Sequence, residues 1–149
     1  MNHTKMTEES YLEYLKNDIH STVFSTVDFE GKPSSRIIDI MLVKNKKVYF
    51  LTAITKPFYK ELINNPFVSI TGVKGEESMS SLSITLKGQV KEIGTQYLDE
   101  IFEKNDYMNE IYETEESKNV LRVFEIELDS VSVYDLSKKP IYQNVFLID

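Results

Sequence analysis

Between Thr52 and Lys56 the chain places two hydroxyls, Thr52 and Thr55, and one ammonium directly ahead of Pro57 and a helical pattern. The chemistry available to such a group is anion binding. A helix start presents free backbone N–H groups and the positive end of the helix dipole, and Lys56 adds a formal charge, so a phosphate is favoured there. The same residues also describe an ordinary capped helix, with Thr55 as N-cap and Pro57 near the first helical position. Both readings remain open on local chemistry. Lys60 lies one helical turn beyond Lys56 and either assists or is solvated. Arg36 is the second cation of interest, because it opens a strand otherwise built from Ile37, Ile38, Ile40, Met41, Leu42 and Val43. A guanidinium beside so much apolar surface needs a ligand phosphate, a ring carbonyl or a carboxylate, unless it sits at a solvent-exposed strand end. Asp39 is an odd number of residues away, so it points to the opposite side and is expected on the outer face of the sheet.

Other chemistries are poorly supplied. Ser78, Ser80, Ser81 and Ser83 have no nucleophile elbow and no histidine placed to activate them. No G-x-G-x-x-G run occurs, and no spacing matches a metal box or an EF-hand. The absence of cysteine removes disulfides, thiolate metal sites and a thiol nucleophile together. His3 and His20 stand far apart and are expected to be surface or edge residues. Side-chain acid–base or nucleophilic catalysis is therefore weakly supported, and an enzyme built on this chain would rely on a cofactor. The net charge of -7 argues against nucleic-acid binding. No apolar run reaches the roughly 18 residues of a membrane span. The polar start MNHTKMTEES lacks the apolar centre of a signal peptide, so a cytoplasmic protein is expected.

The elements that must position these residues follow from periodicity. Thr7–His20 reads as a helix capped by Thr7, with Leu12, Leu15 and Ile19 on one side. Strands are expected at Thr22–Phe29, Ser34–Val43 and Val48–Ala53, joined by the turns Glu30–Pro33 and Lys44–Lys47 and hence antiparallel. A helix over Lys56–Asn65, ended by Asn65-Pro66, leads into a strand at Phe67–Val73. A long strand at Leu82–Ile93 contains Gly88, the mark of a bulge or barrel bend. Helical stretches carry Tyr97, Leu98, Ile101 and Phe102, then Met108, Ile111 and Tyr112, before an acidic loop at Glu113–Glu116. Val120–Tyr134 is the last long strand, and the apolar tail Lys139–Asp149 is expected to dock on its own body or on a second subunit. Six strands with few helices indicate one mainly β domain over residues 1–149, a closed antiparallel sheet rather than a doubly wound fold.

The ordered set S-S-R-I-I-D-I-M, Y-F-L-T-A-I-T-K, K-E-L-I-N-N-P and L-K-G-Q-V resembles the pyridoxamine 5'-phosphate oxidase-like family over about residues 8–136. The resemblance implies a six-stranded Greek-key split β-barrel, a homodimer with FMN bound at the subunit interface. On this resemblance Arg36 reaches the flavin, with Ile37, Ile38 and Asp39 following it along the cofactor. Leu51 and Thr52 match the strand-end pair that contacts the flavin, and Thr55 with Lys56 matches the phosphate-binding turn. Ser83 takes the place, five before Gly88, that holds glutamine or tryptophan in relatives. Met41 stands where the true oxidase has a further cation, and the C-terminal segment with the oxidase's substrate arginine has no counterpart in the short apolar tail. The implied function is an FMN-dependent oxidoreductase or flavin reductase that takes a small-molecule electron donor and acceptor, rather than pyridoxamine phosphate oxidation itself. Haem-binding and deazaflavin-using members of the family leave a non-catalytic flavin- or haem-binding sensor as the alternative, and an interaction module as a third reading.

Overall fold

The alternation of apolar and hydroxyl residues from Ser21 onward builds one eight-stranded antiparallel sheet in a computed structural model that describes residues 1–149. The strands are β1 (Ser21–Val27), β2 (Pro33–Asp39), β3 (Leu42–Lys44), β4 (Lys47–Ala53), β5 (Phe67–Lys74), β6 (Leu82–Gly94), β7 (Leu121–Asp135) and β8 (Tyr142–Leu147). Their order is β2-β1-β5-β6-β7-β4-β3, with β8 also paired to β7. The sheet curls but does not close, as in a split barrel.

Two of the eight strands correct the expectation of six. The stretch expected as one strand, Ser34–Val43, breaks at Ile40–Met41. Both residues are buried, so the alternation of a half-buried strand fails there. The Ile40 N–H still bonds to His20, whereas the Met41 N–H bonds to Tyr49, and the chain thereby leaves β1 and joins β4. The expected tail is also a strand: β8 runs antiparallel to β7 from Asp135↔Tyr142 to Ser130↔Leu147. It therefore docks on its own body. The β3–β4 hairpin turns at Asn45 and Lys46, both left-handed (φ 51 and 61), as a tight two-residue turn requires.

The helices are α1 (Glu8–Tyr14), continued by a wider turn over Leu15–Ile19, α2 (Pro57–Asn64), α3 (Leu98–Lys104), α4 (Met108–Ile111) and α5 (Glu115–Lys118). Thr7 caps α1 through a reciprocal bond with Ser10. The N-cap of α2 is Lys56, not Thr55, and its side chain makes no capping bond. Lys56 precedes a proline and so is held extended (φ -87, ψ 147), outside the helical region. The acidic loop is partly helical, because Thr114 and Ser117 form a capping box around α5.

Both faces of β4 are buried, which places it between two cores. On one side Phe50 meets Phe24 at 4.6 Å and Phe124 at 5.4 Å, over Tyr11, Leu12 and Leu15 from α1. On the other, Tyr49 and Leu51 pack with Ile101, Phe102 and Met108 under α3 and α4. Gly88 sits at a register shift: Lys87 pairs with Ser130 but Gly88 with Leu128, so Asp129 bulges from β7. A Cβ on Gly88 would run into the Glu127 carbonyl.

His3 is not a surface residue. Its side chain is 5% exposed, stacked on Tyr142 with ring centroids 3.9 Å apart. Nε2–H donates to Asp135 Oδ2 at 2.7 Å, and Nδ1 is 2.8 Å from the Tyr11 hydroxyl. This ties the N-terminal segment to α1, β7 and β8. Burial alone would raise the Asp135 carboxyl pKa, but the bonds from Ser137 and His3 outweigh it and hold it below the ordinary value.

Two measurements check this account. Gly88→Ala should lower stability by about 1–3 kcal/mol or more in urea unfolding, since the added methyl meets backbone rather than a movable side chain. Asp135→Asn should cost about 1–3 kcal/mol at pH 7, the range for a hydrogen bond to a charged group. Because the folded carboxyl is the stronger acid, its contribution is complete above the unfolded pKa of about 3.9 and is lost as pH falls through the folded value. Urea midpoints of wild type and Asp135→Asn should therefore converge below about pH 4.

Candidate functional site

The split in the barrel is where the candidate residues gather. β2 is an end strand paired only with β1, and the β4–α2 turn brings the start of α2 over it. Between them lies a cleft of about 440 Å³, lined by Ser34, Arg36, Ile37, Ile38, Lys56, Pro57, Phe58 and Glu61. Four of the residues singled out from the sequence, Arg36, Ile37, Ile38 and Lys56, thus share one cavity.

Arg36 is the most heavily bonded side chain in it. Nη1 donates to the Phe24 carbonyl, to Thr26 Oγ1 at 2.7 Å and to the Ser34 carbonyl. Nη2 donates to Ser34 Oγ and to Glu61 Oε1, each at 2.9 Å. The guanidinium lies 4.5 Å from the centroid of Phe58. The partner that the apolar strand called for is thus Glu61, a carboxylate delivered by α2. The plane of the guanidinium serves both the stacked ring and the forked bonds, which a lysine could not match. Thr26 Oγ1 also donates to Glu61, so strand β1 joins the same contact.

Lys56 forms no ion pair and is exposed at the uncapped start of α2. Two cations, Arg36 and Lys56, face one carboxylate, Glu61, so the cleft carries net positive charge in an acidic chain. Thr55 is exposed beside Lys56. Thr52 is 3% exposed, and its Oγ1 is the one buried side-chain polar atom with no hydrogen-bond partner. Such an orphan is costly unless a further group completes it. Leu51, its neighbour, points to the opposite face of β4 and belongs to the core beneath α3.

The remaining candidates lie elsewhere. Lys60 lines a separate apolar hollow with Phe29, Tyr59, Ile63 and Asn64. Ser83 pairs with Val73 and Tyr134 on the outer face of the sheet. From β6 to β2 there are three strand spacings, about 14 Å. Asp39 is on the outer face too, bonded by Ser21 Oγ at 2.7 Å and by the Tyr107 hydroxyl at 2.8 Å. His20 Nε2 lies 2.9 Å from that hydroxyl and 3.5 Å from Asp39. Burial, and then the bond to Asp39, pushes the Tyr107 hydroxyl well above the ordinary tyrosine range, so it stays protonated.

Sequence reasoning missed Ser34, Phe58 and Glu61 as site residues, and it missed Tyr107 altogether. Glu61 had a legible signal, since it is the acidic residue on the same helix face as Pro57, one turn into α2. Tyr107 had none, because it reaches Asp39 across 68 residues.

Comparison with known proteins identifies the family and the fold. The pyridoxamine 5'-phosphate oxidase family profile matches residues 8–135. No curated protein matches the chain in sequence. Among solved structures, General Stress Protein 26 from Bacillus anthracis str. Sterne superposes with a TM-score of 0.71 at 15% identity, over 96% of this chain and 100% of that one. A protein of Clostridium acetobutylicum related to general stress protein 26, of the pyridoxinephosphate oxidase family, gives 0.72 at 14% identity, over 97% and 98%. A haem-binding protein from Mycobacterium smegmatis gives 0.73 at 14% identity over 96% of this chain, which spans 59% of its length. At such identities these structures establish the fold. With the profile match across most of its length, the chain belongs to the pyridoxamine 5'-phosphate oxidase family.

Proposed function

We propose that the chain binds FMN in the cleft between β2 and α2 and acts, as a homodimer, as an FMN-dependent oxidoreductase of the flavin reductase kind. The observation that carries this reading is the cleft itself, which sets an unpaired lysine at an uncapped eight-residue helix beside Ile37 and Ile38 of β2. Lys56 and the start of α2 suit a dianionic phosphate. Ile37 and Ile38 offer apolar surface for a ring system. Arg36 holds the wall in place, because its bonds to Glu61 and Thr26 fix α2 against β1 and β2. FMN, when bound, supplies two-electron hydride chemistry between a small-molecule donor and acceptor. The chain's own part is to orient the ring along β2, to hold the phosphate and to exclude water from the split. Haem is less well served: the cleft lining contains no histidine, methionine or tyrosine to meet an iron.

The dimer reading rests on the outer face of the sheet. One row across six strands reads Ile37, Val23, Thr71, Thr85, Ser132 and Val145, all uncharged. Ile37 is 65% and Val145 53% exposed. A nearly charge-free face of this width fits a second copy of itself. Ser83 lies on the same face and would reach a cofactor only from that second copy.

Lys56→Ala should weaken FMN by about 1–3 kcal/mol, as for a hydrogen bond to a charged group, and leave riboflavin nearly unaffected. Equal losses for both ligands in a fluorescence titration would remove Lys56 from the phosphate site. Sedimentation velocity at micromolar protein should show a dimer, with FMN shifting any monomer toward it, since a ligand stabilises the state it binds. A monomer that takes up FMN at full stoichiometry would defeat the interface site. Steady NAD(P)H consumption with an added acceptor distinguishes the enzyme from a flavin carrier that binds without turnover.

A further inference from the structure

Three strands pair with only one neighbour: β2, β3 and β8. An unpaired edge is a template for another strand, and folded chains blunt it with shortness, lysine, proline or a covering element. β3 is three residues long and ends in a turn carrying Lys44, Lys46 and Lys47. β2 begins at Pro33, and the start of α2 lies over it. β8 has none of these devices. It pairs with β7 in unbroken register, contains no proline, and belongs to an uncharged run from Pro140 to Ile148.

The ladder to β7 fixes which groups of β8 are free. The Ile148 N–H bonds to the Asp129 carbonyl, so the even-numbered residues of β8 turn their backbone groups toward β7. Those of Gln143, Val145 and Leu147 therefore point to the open edge. The N–H groups of Gln143 and Leu147 have no partner, and that of Val145 reaches only the neighbouring Asn144 Oδ1, at 2.9 Å. Side chains of the same register stand on the outer face of the sheet. Ile141, Val145 and Leu147 are all exposed there, Leu147 the most of any large apolar side chain at 78%. Tyr134, opposite Gln143, is exposed beside them.

We propose that the open edge of β8 pairs with β8 of a second copy of the chain, antiparallel about a two-fold axis at Val145. In that register Gln143 of one copy lies opposite Leu147 of the other, and Val145 lies opposite its own counterpart. Each outward N–H then meets an outward carbonyl, and Val145 exchanges its bond to Asn144 for a ladder bond. Charge at the two ends of the strand selects this partner and this direction. Lys138 and Lys139 precede β8, Asp149 follows it, and none of the three forms an ion pair within the chain. Antiparallel pairing brings Lys139 of each copy within about 7 Å of Asp149 of the other along the strand, whereas parallel pairing sets like against like. Between those ends the strand carries no charge to repel its own copy, and Ile141, Val145 and Leu147 pack across the seam. The contact is self-complementary and closed, so it stops at one pair. It does not depend on the cofactor reading, and it is separate from the broad-face contact: alone it gives a dimer, with that contact a tetramer.

Amide hydrogen exchange reads the edge directly. In the associated protein the Gln143 and Leu147 N–H groups should exchange slowly, and dilution should remove that protection. Val145→Pro is the selective variant, because the Val145 N–H makes no bond to β7 and a proline on the open edge leaves the ladder intact. It should halve the sedimenting mass at a concentration where wild type is paired, and abolish protection at Gln143 and Leu147. Leu147→Lys, which puts a lysine on the edge without touching the core, carries the test if Val145→Pro does not fold. Val23→Lys, on the broad outer face away from β8, should leave the protection in place. Free exchange at both amides in an assembled protein, or wild-type mass in the β8 variants, overturns the edge pair and leaves the broad-face dimer standing. Protection that Val23→Lys removes and Val145→Pro keeps overturns it too. A monomer at every concentration overturns both contacts.

Discussion

The structure depends on one covalent constraint: β2 and β3, at opposite ends of the sheet order, are consecutive in the chain. Only Ile40 and Met41 separate them. A flat seven-strand path would hold its ends about 29 Å apart, six strand spacings, so two residues can join them only if the sheet curls round on itself. Closure is thus made by the backbone and not by a ladder between β2 and β3. A gap is left beside β2, and the helix that follows β4 is the element nearest to fill it. The cleft is therefore a consequence of topology, and the residues lining it are those flanking the break on either side.

Arg36 stabilises that geometry at the one place where strand pairing cannot. Its guanidinium bonds two strands and one helix at once and stacks on Phe58, which itself packs 5.3 Å from Phe24 in the main core. The charge pair is largely shielded, with Arg36 22% and Glu61 12% exposed, and removal of either partner would leave the other poorly solvated. The division of labour that follows is chemical as well as mechanical. Arg36 is engaged with Glu61, whereas Lys56 forms no ion pair. The resemblance gives both residues to the cofactor; the bonding shows that they differ in how far their charges are already met.

Local pattern carried much of this fold because most elements obey a single period. The Thr7 cap, the Gly88 bulge and the apolar alternation of β1, β5, β6 and β7 were all legible, since each depends on neighbours in sequence. What escaped was long-range. The break at Ile40–Met41 looks like continuous strand because both halves are rich in Ile, Leu and Val, and only pairing to different partners divides them. The apolar tail did not announce β8, whose burial comes from β7, and the residue before Pro57 displaced Thr55 as cap through a purely local steric rule that had been available. Within the site, the strand-borne residues Arg36, Ile37 and Ile38 fell together because they share one element. Lys60 and Ser83 lie apart from that cleft because helix phase and sheet order, rather than spacing, set their positions.

The two histidines show why composition could not settle the acid–base chemistry. Both join a tyrosine and a carboxylate, His3 standing between Tyr11 and Asp135 and His20 reaching Asp39 through Tyr107, and both depend on contacts remote in sequence, 132 residues for His3 with Asp135 and 87 for His20 with Tyr107. They differ in the remaining ring nitrogen's neighbour and in exposure. Tyr11 and Asp135 each meet one nitrogen of the His3 ring, inside a clasp nearly closed to solvent. The carbonyl of Lys16 can only accept from His20 Nδ1, Nε2 meets the Tyr107 hydroxyl, and the ring is partly exposed on the outer face of the sheet. Composition counts the two histidines alike, and only their remote partners separate a ring clasped inside the body from one left partly exposed at its surface.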